Sequence, residues 1–343
     1  MSERVPQGQA GNDRLIVSAT PFEKRPVDTP KIMRHVIYAL LPATILAIGL
    51  FGLSALLLIF TCVAVCVATE WLVDRQGSIA DASAVLTGLL LALTLPPGLP
   101  LWMAAIGALV AMVFGKLVFG GLGQNVFNPS LTGRAFLQAS FPVAMTTWAA
   151  PGNLSSFWTL RGDSLAIPLL RPEFDAVSAA TPLARMKFES ELTDLAALAG
   201  GNISGSVGET SALLLILGGL YLMARGFLNW RIPVGILVTV ALLATALHGV
   251  DSARFEPAQY QLLSGGLMLG AFYMATDPVT SPVTPRGCWI FAVGIGVLVV
   301  LIRQFGGLPE GVMYAILLMN AATPLIDRFT QPAIYGSRGA PDG

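Results

Sequence analysis

Apolar runs of roughly the length of a membrane-spanning helix alternate with short polar connections along most of the chain. Ten such runs cover approximately residues 34–52, 54–73, 81–96, 100–119, 126–141, 209–225, 232–249, 259–275, 288–304 and 309–327. A straight helix needs ~20 residues to cross the hydrocarbon core of a bilayer. The third, fifth and eighth runs are short or interrupted by Gly and Pro. The pattern predicts an all-α polytopic membrane protein with about ten transmembrane helices.

Composition agrees with this interpretation. The 343 residues are 54% hydrophobic and 12% charged, whereas soluble proteins are about 25% charged. The formal net charge is zero, so no nucleic-acid partner is expected and membrane lipids are the expected surroundings. Cys62 and Cys66 share a helix face but lack further ligands nearby in the sequence, which favours small-residue packing and predicts no metal site.

Five apolar runs precede a long polar segment and five follow it. We therefore divide the chain into an N-terminal tail (1–30), a first five-helix unit (31–141), a loop (142–208), a second five-helix unit (209–327) and a C-terminal tail (328–343). Lys and Arg are enriched on the cytoplasmic side of membrane proteins, and residues 1–34 hold six of them. This bias predicts cytoplasmic termini and an extracytoplasmic loop, periplasmic in a Gram-negative host. Arg254 and Arg303 then fall in short connections on the outer side.

The third and eighth runs resemble each other. They read "LTGLLLALTLPPGLP" and "LSGGLMLGAFYMATDPVTSP", each with a hydroxyl residue and Gly, a small-residue apolar stretch, and a Pro-rich break. Because five helices make an odd number, the second unit begins on the opposite side of the membrane. The pattern predicts inverted repeats with a site where the broken helices meet. The alternative is that the prolines simply end two helices.

Polar residues are concentrated at two helix boundaries. In the first unit, Asn128, Thr132 and Arg134 lie where the fifth run begins, and in the second unit Asp277 directly follows an apolar stretch. Polar groups at membrane depth are costly unless they are satisfied. These four residues are therefore candidates for a second site or an ion path in the bundle interior. The alternatives are an Asn helix cap with a snorkelling Arg, and an Asp lying among the lipid headgroups.

The segment "DAVSAATPLARMK", residues 175–187, lies in the long loop. Loops of this length are usually functional or disordered. Thr181 offers a hydroxyl for covalent modification, and we expect that hydroxyl to be accessible on a mobile segment. Arg185 and Lys187 follow closely and are expected to neutralise phosphate charge. The alternative is an ordinary surface turn and helix start.

Three segments together resemble a known family. Asp175, Ser178, Ala180 and Thr181 match the covalent flavinylation motif of ion-pumping redox complexes, with Ala179 in place of the usual Gly. The segments "NVFNPSLTGRAFLQASFP", "MATDPVTSPVTPRG" and "MRHVIYALLPA" resemble the companion segments of the NqrB/RnfD family, in the same order, between about residues 31 and 330. The short N-terminal tail favours the RnfD branch, with the NqrB branch as the alternative.

The resemblance implies a membrane flavoprotein subunit that relays electrons coupled to Na⁺ or H⁺ transport, with no catalytic residue of its own. It implies FMN joined through its phosphate to Thr181 by a separate flavin transferase, and the surrounding site is expected to include Asp175, Ser178, Ala180, Pro182, Leu183 and Arg185. A second, noncovalent flavin (riboflavin) is a further candidate cofactor. The implied fold is ten helices in inverted repeats, similar to urea transporters, in the bacterial inner membrane. The implied partners are Rnf subunits A, B, C, E and G.

A different class of function also fits the helix pattern. Inverted repeats with broken helices suit a transporter or channel with no redox role, and a passive membrane scaffold is a third possibility. A covalently bound flavin would distinguish the redox subunit from both, because a simple channel has no need of an acceptor threonine.

Overall fold

The computed structural model describes residues 29–73, 81–152, 156–168, 179–189, 191–252 and 254–332. Within these ranges the chain is helical and contains no strand. The predicted site residues Asp175 and Ser178 lie outside the described residues.

Five helices are long and apolar enough to cross a membrane. They are α1 (Thr29–Phe51), α2 (Leu53–Val73), α4 (Leu101–Gly115) with its 3-10 extension Leu117–Phe119, α10 (Arg231–Val250) and α13 (Pro285–Phe305). A single glycine with positive φ, Gly52, separates α1 from α2. These helices make the chain a membrane protein.

The remaining helices are shorter. They are α3 (Ser83–Thr94), α5 (Pro129–Ser140), α6 (Pro142–Thr146), α7 (Pro182–Ala184), α8 (Leu195–Gly200), α9 (Ala212–Ala224), α11 (Ala258–Leu263), α12 (Leu267–Leu269) and α14 (Val312–Thr330). Single turns of other helix types lie at Arg185–Glu189, Val207–Thr210 and Gly270–Met274. The prediction that the third, fifth and eighth apolar runs are short or broken is confirmed, since they form α3, α5 and the interrupted series α11, α12 and Gly270–Met274.

The short apolar helices lie inside the bundle. Eleven of the twelve residues of α3 are buried, and so are all five residues of the turn Gly270–Met274. Short and broken helices leave backbone groups unpaired at their ends, and hydrocarbon offers no water to satisfy them. Surrounding protein can satisfy these groups, so the long helices carry most of the lipid-facing surface.

The two halves show matching helix contacts. In the first half, α2 packs on α3 and α4, and α4 packs on α5; in the second half, α10 packs on α11 and α13, and α13 packs on α14. The first helices of the two halves, α1 and α9, pack together, as do the last, α5 and α14. This correspondence is what two related five-helix units joined across an interface would produce.

Close backbone approach fixes α3 against α2. A Cβ added at Gly88 would lie 2.7 Å from the Cα of Val63 and 2.8 Å from the carbonyl oxygen of Cys62. Neither atom can move without shifting the α2 backbone. Cys62 and Cys66 are themselves fully buried in the core, with free thiols.

We expect Gly88→Ala to destabilise the folded protein by about 1–3 kcal/mol, because the methyl group has no space against the α2 backbone. A thermal unfolding measurement in detergent should show a lower midpoint. Gly49→Ala is the matched control, since nothing lies within 4 Å of its added Cβ inside α1. Equal midpoints for the two variants would contradict the close α2–α3 approach.

Candidate functional site

Thr181 begins a short helix. It is the N-cap of α7, and its hydroxyl oxygen accepts a hydrogen bond from the backbone N–H of Ala184 at 3.2 Å. Pro182 occupies the first helical position, where its missing N–H and fixed φ cost nothing. The helix-start alternative is therefore correct as local structure, and it places the hydroxyl at a defined point.

The expectation of an accessible Thr181 hydroxyl is wrong for this conformation. Thr181 is only 8% exposed, and Pro182 and Leu183 beside it are also buried. The cause is the capping bond together with docking of the following residues onto the second half of the protein. Ala180 is half-buried and Arg185 is exposed.

Apolar contacts and one hydrogen bond hold α7 in place. The hydroxyl of Tyr260, in α11, donates to the carbonyl oxygen of Pro182 at 2.7 Å. Leu183 and Met186 pack in a small apolar cluster whose other buried members are Leu198, Ile203 and Tyr260. The backbone N–H of Ala179 donates to the carbonyl oxygen of Trp148 at 2.8 Å, which ties the segment to the chain before it.

Lys187 anchors the segment to the end of α13. Its ammonium nitrogen donates to the carbonyl oxygens of Arg303 at 2.8 Å, Gly306 at 2.6 Å and Leu308 at 3.1 Å. A cation suits the negative end of a helix dipole. Partial burial lowers the pKa of Lys187, and the carboxylate of Glu256 opposes that shift. Contrary to expectation, Lys187 is therefore committed to helix carbonyls rather than left for a phosphate.

Arg303 organises the wall beneath this anchor. It belongs to the last turn of α13 and is 3% exposed, so placing it in an outer connection was wrong. Its guanidinium donates to the carbonyl oxygens of Gln261 at 2.7 Å and Ser264 at 3.1 Å, and forms an ion pair with Glu310 at 3.3 Å. Gly265 between these elements has a φ of 66°, and a Cβ there would collide with the Glu310 carboxylate.

A pocket joins Thr181 to charged residues from both halves. It is lined by Arg134, Trp148, Thr181, Pro182, Leu183, Glu209, Gly265, Pro309 and Glu310. Arg134 comes from α5, Glu209 from the turn before α9, and Glu310 from the connection before α14. The sequence interpretation grouped Arg134 with Asp277, but the structure places Arg134 beside Thr181.

A second, larger cavity contains the other polar residues predicted from the sequence. It has about 760 Å³ of empty volume, and its lining includes Asn128 and Asp277 together with residues of α1, α3 and the Gly270–Met274 turn. Asp277 accepts hydrogen bonds from the Val279 backbone at 3.2 Å and the Thr280 hydroxyl at 3.3 Å. Thr132 is half-buried, and its hydroxyl donates to the Asn128 carbonyl oxygen at 3.1 Å.

Asn128 connects the two halves at this cavity. Its side-chain oxygen accepts from the backbone N–H groups of Ser130 and Leu131 at 3.1 and 3.4 Å, so it caps α5 as expected. Its amide nitrogen donates to the carbonyl oxygen of Met274 at 3.1 Å, at the end of the broken helix of the second half. One buried side chain thus satisfies two interrupted helices.

Several site residues were missed in the sequence. Lys116 lines the larger cavity, where it forms a buried ion pair with Glu70 and also donates to the Ser83 hydroxyl. Charged residues near the ends of apolar runs were the available signal. Glu209 follows Ser206 by three residues, in the Ser-x-x-Glu pattern of a capping box before an apolar run. Glu310 and Tyr260 have no local signal of this kind.

The model of the NQR2, RnfD, RnfE family matches residues 16–336. The chain belongs to this family. The match covers nearly all of both halves and the segment between them, so the resemblance inferred from the three segments is confirmed.

Similar proteins agree in their names, each being the D component of an ion-translocating complex. That of the proton-translocating ferredoxin:NAD(+) oxidoreductase complex of Clostridium ljungdahlii is 42% identical, over 97% of this chain and 99% of that protein. That of the Na(+)-translocating ferredoxin:NAD(+) oxidoreductase complex of Acetobacterium woodii is 44% identical, over 94% of this chain and 95% of that protein. That of an ion-translocating oxidoreductase complex of Halorhodospira halophila is 42% identical, over 94% and 96%. These names favour the RnfD branch over the NqrB branch, and two relatives of nearly equal identity are named for different ions.

We expect Lys187→Met to loosen residues 182–189, because the variant keeps the aliphatic stem but removes the donor for three carbonyl oxygens. Hydrogen bonds that involve a charged group contribute about 1.5–3 kcal/mol, so backbone hydrogen exchange in this segment should accelerate by roughly ten- to a hundredfold. Arg185→Met is the control, since Arg185 is exposed two residues earlier. Equal exchange rates in both variants would show that the α13 contact does not hold the segment.

Proposed function

We propose that this chain is the membrane flavoprotein subunit of an ion-translocating oxidoreductase complex of the Rnf type, with FMN joined through its phosphate to Thr181. Family membership and the names of the relatives support the class of complex. The position of Thr181 supports the flavin site. Its hydroxyl lies on a pocket that also holds a buried guanidinium and an aromatic ring, Arg134 and Trp148. These groups suit a phosphate and a planar ring system.

Attachment of FMN requires an activated donor and a separate transferase. The Thr181 hydroxyl oxygen attacks the phosphorus of a flavin dinucleotide, and a P–O bond forms. The P–O bond of the pyrophosphate breaks, a nucleoside monophosphate leaves, and the hydroxyl proton passes to a base of the transferase. No electrons are exchanged in this step. Because Thr181 is buried when α7 is docked, the acceptor must be presented while the segment is undocked.

The flavin, when bound, supplies reversible electron transfer. The residues of this chain would then position it. Tyr260 and Lys187 fix the segment that bears Thr181 against α11 and α13. The covalent link would prevent loss of the cofactor, and the docked segment would limit the distance over which it moves.

We also propose the arrangement of the chain in the membrane. Ten helices in two inverted five-helix repeats, similar to urea transporters, account for the matching helix contacts of the two halves. Both termini would be cytoplasmic and the Thr181 segment periplasmic, in the bacterial inner membrane. Rnf subunits A, B, C, E and G would be the partners. Electron transfer through the complex would be coupled to Na⁺ or H⁺ movement.

The larger cavity is proposed as the second site. Ligand pockets usually enclose about 300–1,000 Å³, and about 760 Å³ of empty volume lies between the halves. Asn128 and Asp277 line it where the helices of both halves are interrupted. The cavity would serve either as part of the ion path or as the site of a second, noncovalent flavin such as riboflavin.

A transporter with no redox role is the alternative that the helix arrangement favours. It would use the same cavity between the halves without a flavin at Thr181. In-gel fluorescence of the denatured protein separates the two functions, because only a covalent flavin remains with the polypeptide in SDS.

We expect Thr181→Val to abolish covalent FMN when the chain is produced together with the flavin transferase, because the variant keeps the shape of the side chain but lacks the acceptor oxygen. Intact-protein mass spectrometry should show the loss of one FMN phosphoester. Thr181→Ser is the control, since it keeps both the hydroxyl and the N-cap, and it should retain the flavin. An FMN-bearing Thr181→Val protein would refute the assignment.

We expect Asp277→Asn to leave FMN content and complex assembly intact while reducing ion transport by about tenfold, equivalent to ~1.4 kcal/mol. The substitution keeps the size of the side chain but removes a charge from the larger cavity. Ion uptake by proteoliposomes containing the purified complex would be measured. Asp163→Asn, in the outer loop, is the control. Wild-type transport in Asp277→Asn would exclude this carboxylate from the ion path.

A further inference from the structure

Arg134 is a buried cation with unused hydrogen-bonding capacity. It lies in the middle of α5 and is 8% exposed. Its Nε atom is buried and has no hydrogen-bond partner among the described residues. An arginine offers five N–H donors in a planar fork, and leaving such donors unpaired in a buried site is costly. The position therefore calls for an acceptor that the polypeptide itself does not supply.

Close packing gives Arg134 its position. A Cβ added at the preceding residue, Gly133, would lie 2.6 Å from the carbonyl oxygen of Gly107 in α4. This contact presses α5 against α4 and limits the movement of the backbone that carries Arg134. The guanidinium shares the smaller pocket with Thr181, Trp148 and Glu209.

The other described cations near Thr181 are engaged or exposed. Lys187 donates to three carbonyl oxygens at the end of α13. Arg303 donates to Gln261 and Ser264 and pairs with Glu310. Arg185 is exposed. Within the part of the chain that the structure describes, Arg134 is the cation on the Thr181 pocket that retains a free buried donor.

We propose that the Arg134 guanidinium binds the phosphodiester formed when FMN is attached to Thr181. The inference rests on the proposed flavin attachment and deepens it. A phosphodiester carries one negative charge and two unesterified oxygens, which a guanidinium can bind through parallel N–H donors. Glu209 lies close enough to interact electrostatically with Arg134, and it orients the guanidinium from the opposite side. The phosphate thereby takes the acceptor role that Arg134 lacks.

The assignment changes which part of the protein holds the cofactor. The Thr181 segment is docked on the second half by Tyr260 and Lys187, whereas Arg134 belongs to the first half. A bound phosphodiester would therefore link the two halves across the pocket. The exposed Arg185, which the sequence favoured, would contribute little.

The test uses the purified full-length chain carrying FMN, in a detergent free of phosphorus. The ³¹P resonance of the phosphodiester and the fluorescence anisotropy of the flavin are measured for wild type, Arg134→Gln and Arg134→Lys. We expect a shifted resonance and lower anisotropy in Arg134→Gln, and a shifted resonance in Arg134→Lys, since an ammonium cannot reproduce the planar fork. Arg254→Gln, an exposed outer arginine, should match the wild type in both measurements.

Two outcomes would overturn the inference. One is a wild-type ³¹P resonance and wild-type anisotropy in an Arg134→Gln protein with full FMN occupancy. The other is a change in both measurements for Arg185→Gln but not for Arg134→Gln, which would restore the contact favoured by the sequence. If Arg134→Gln fails to accumulate in the membrane, an unshifted resonance in Arg134→Lys overturns it. Absence of FMN from wild-type Thr181 would instead refute the proposed function, and intact mass detects that case separately.

Discussion

The buried amide of Asn128 bears the main constraint on this fold. Two helices stop inside the bundle, where hydrocarbon and protein leave no bulk water to satisfy their ends. The side-chain oxygen of Asn128 pairs with N–H groups at the start of α5, and its nitrogen pairs with the Met274 carbonyl at the end of the broken helix. An unpaired buried group costs about 1–3 kcal/mol. Asn128 removes that cost from both halves, so the interruption of one helix depends on the interruption of the other.

Interrupted helices also explain why polar cavities exist in so apolar a chain. A continuous helix presents only side chains to its neighbours, whereas a helix end presents backbone groups and permits residues such as Asp277 to face inward. Around the Thr181 pocket, the ends of α11 and α13 play the same part, since their carbonyl oxygens receive Arg303 and Lys187. The long outer helices shield both places from lipid, which allows charged residues to persist there.

The helices could largely be predicted from the sequence because hydropathy and Pro or Gly breaks are local signals. The short third and fifth helices and the broken eighth are recognisable in this way. The grouping of site residues was less accurate. Asn128 and Arg134 are six positions apart, which separates them by about 9 Å along a helix axis, and they line different cavities. The role of Lys187 depends on carbonyl oxygens more than a hundred residues later, and no local pattern encodes that contact.

The contact between Lys187 and α13 also has a consequence for biosynthesis. Arg303, whose carbonyl oxygen receives the Lys187 ammonium, is 116 positions further along the chain. A ribosome adds ~5–20 residues per second, so on the order of ten seconds pass between the synthesis of Lys187 and that of its acceptor. During this interval α7 has no α13 on which to dock, and the Thr181 hydroxyl is not yet enclosed. The order of translation itself thus gives a modifying enzyme a period of access that the finished fold closes.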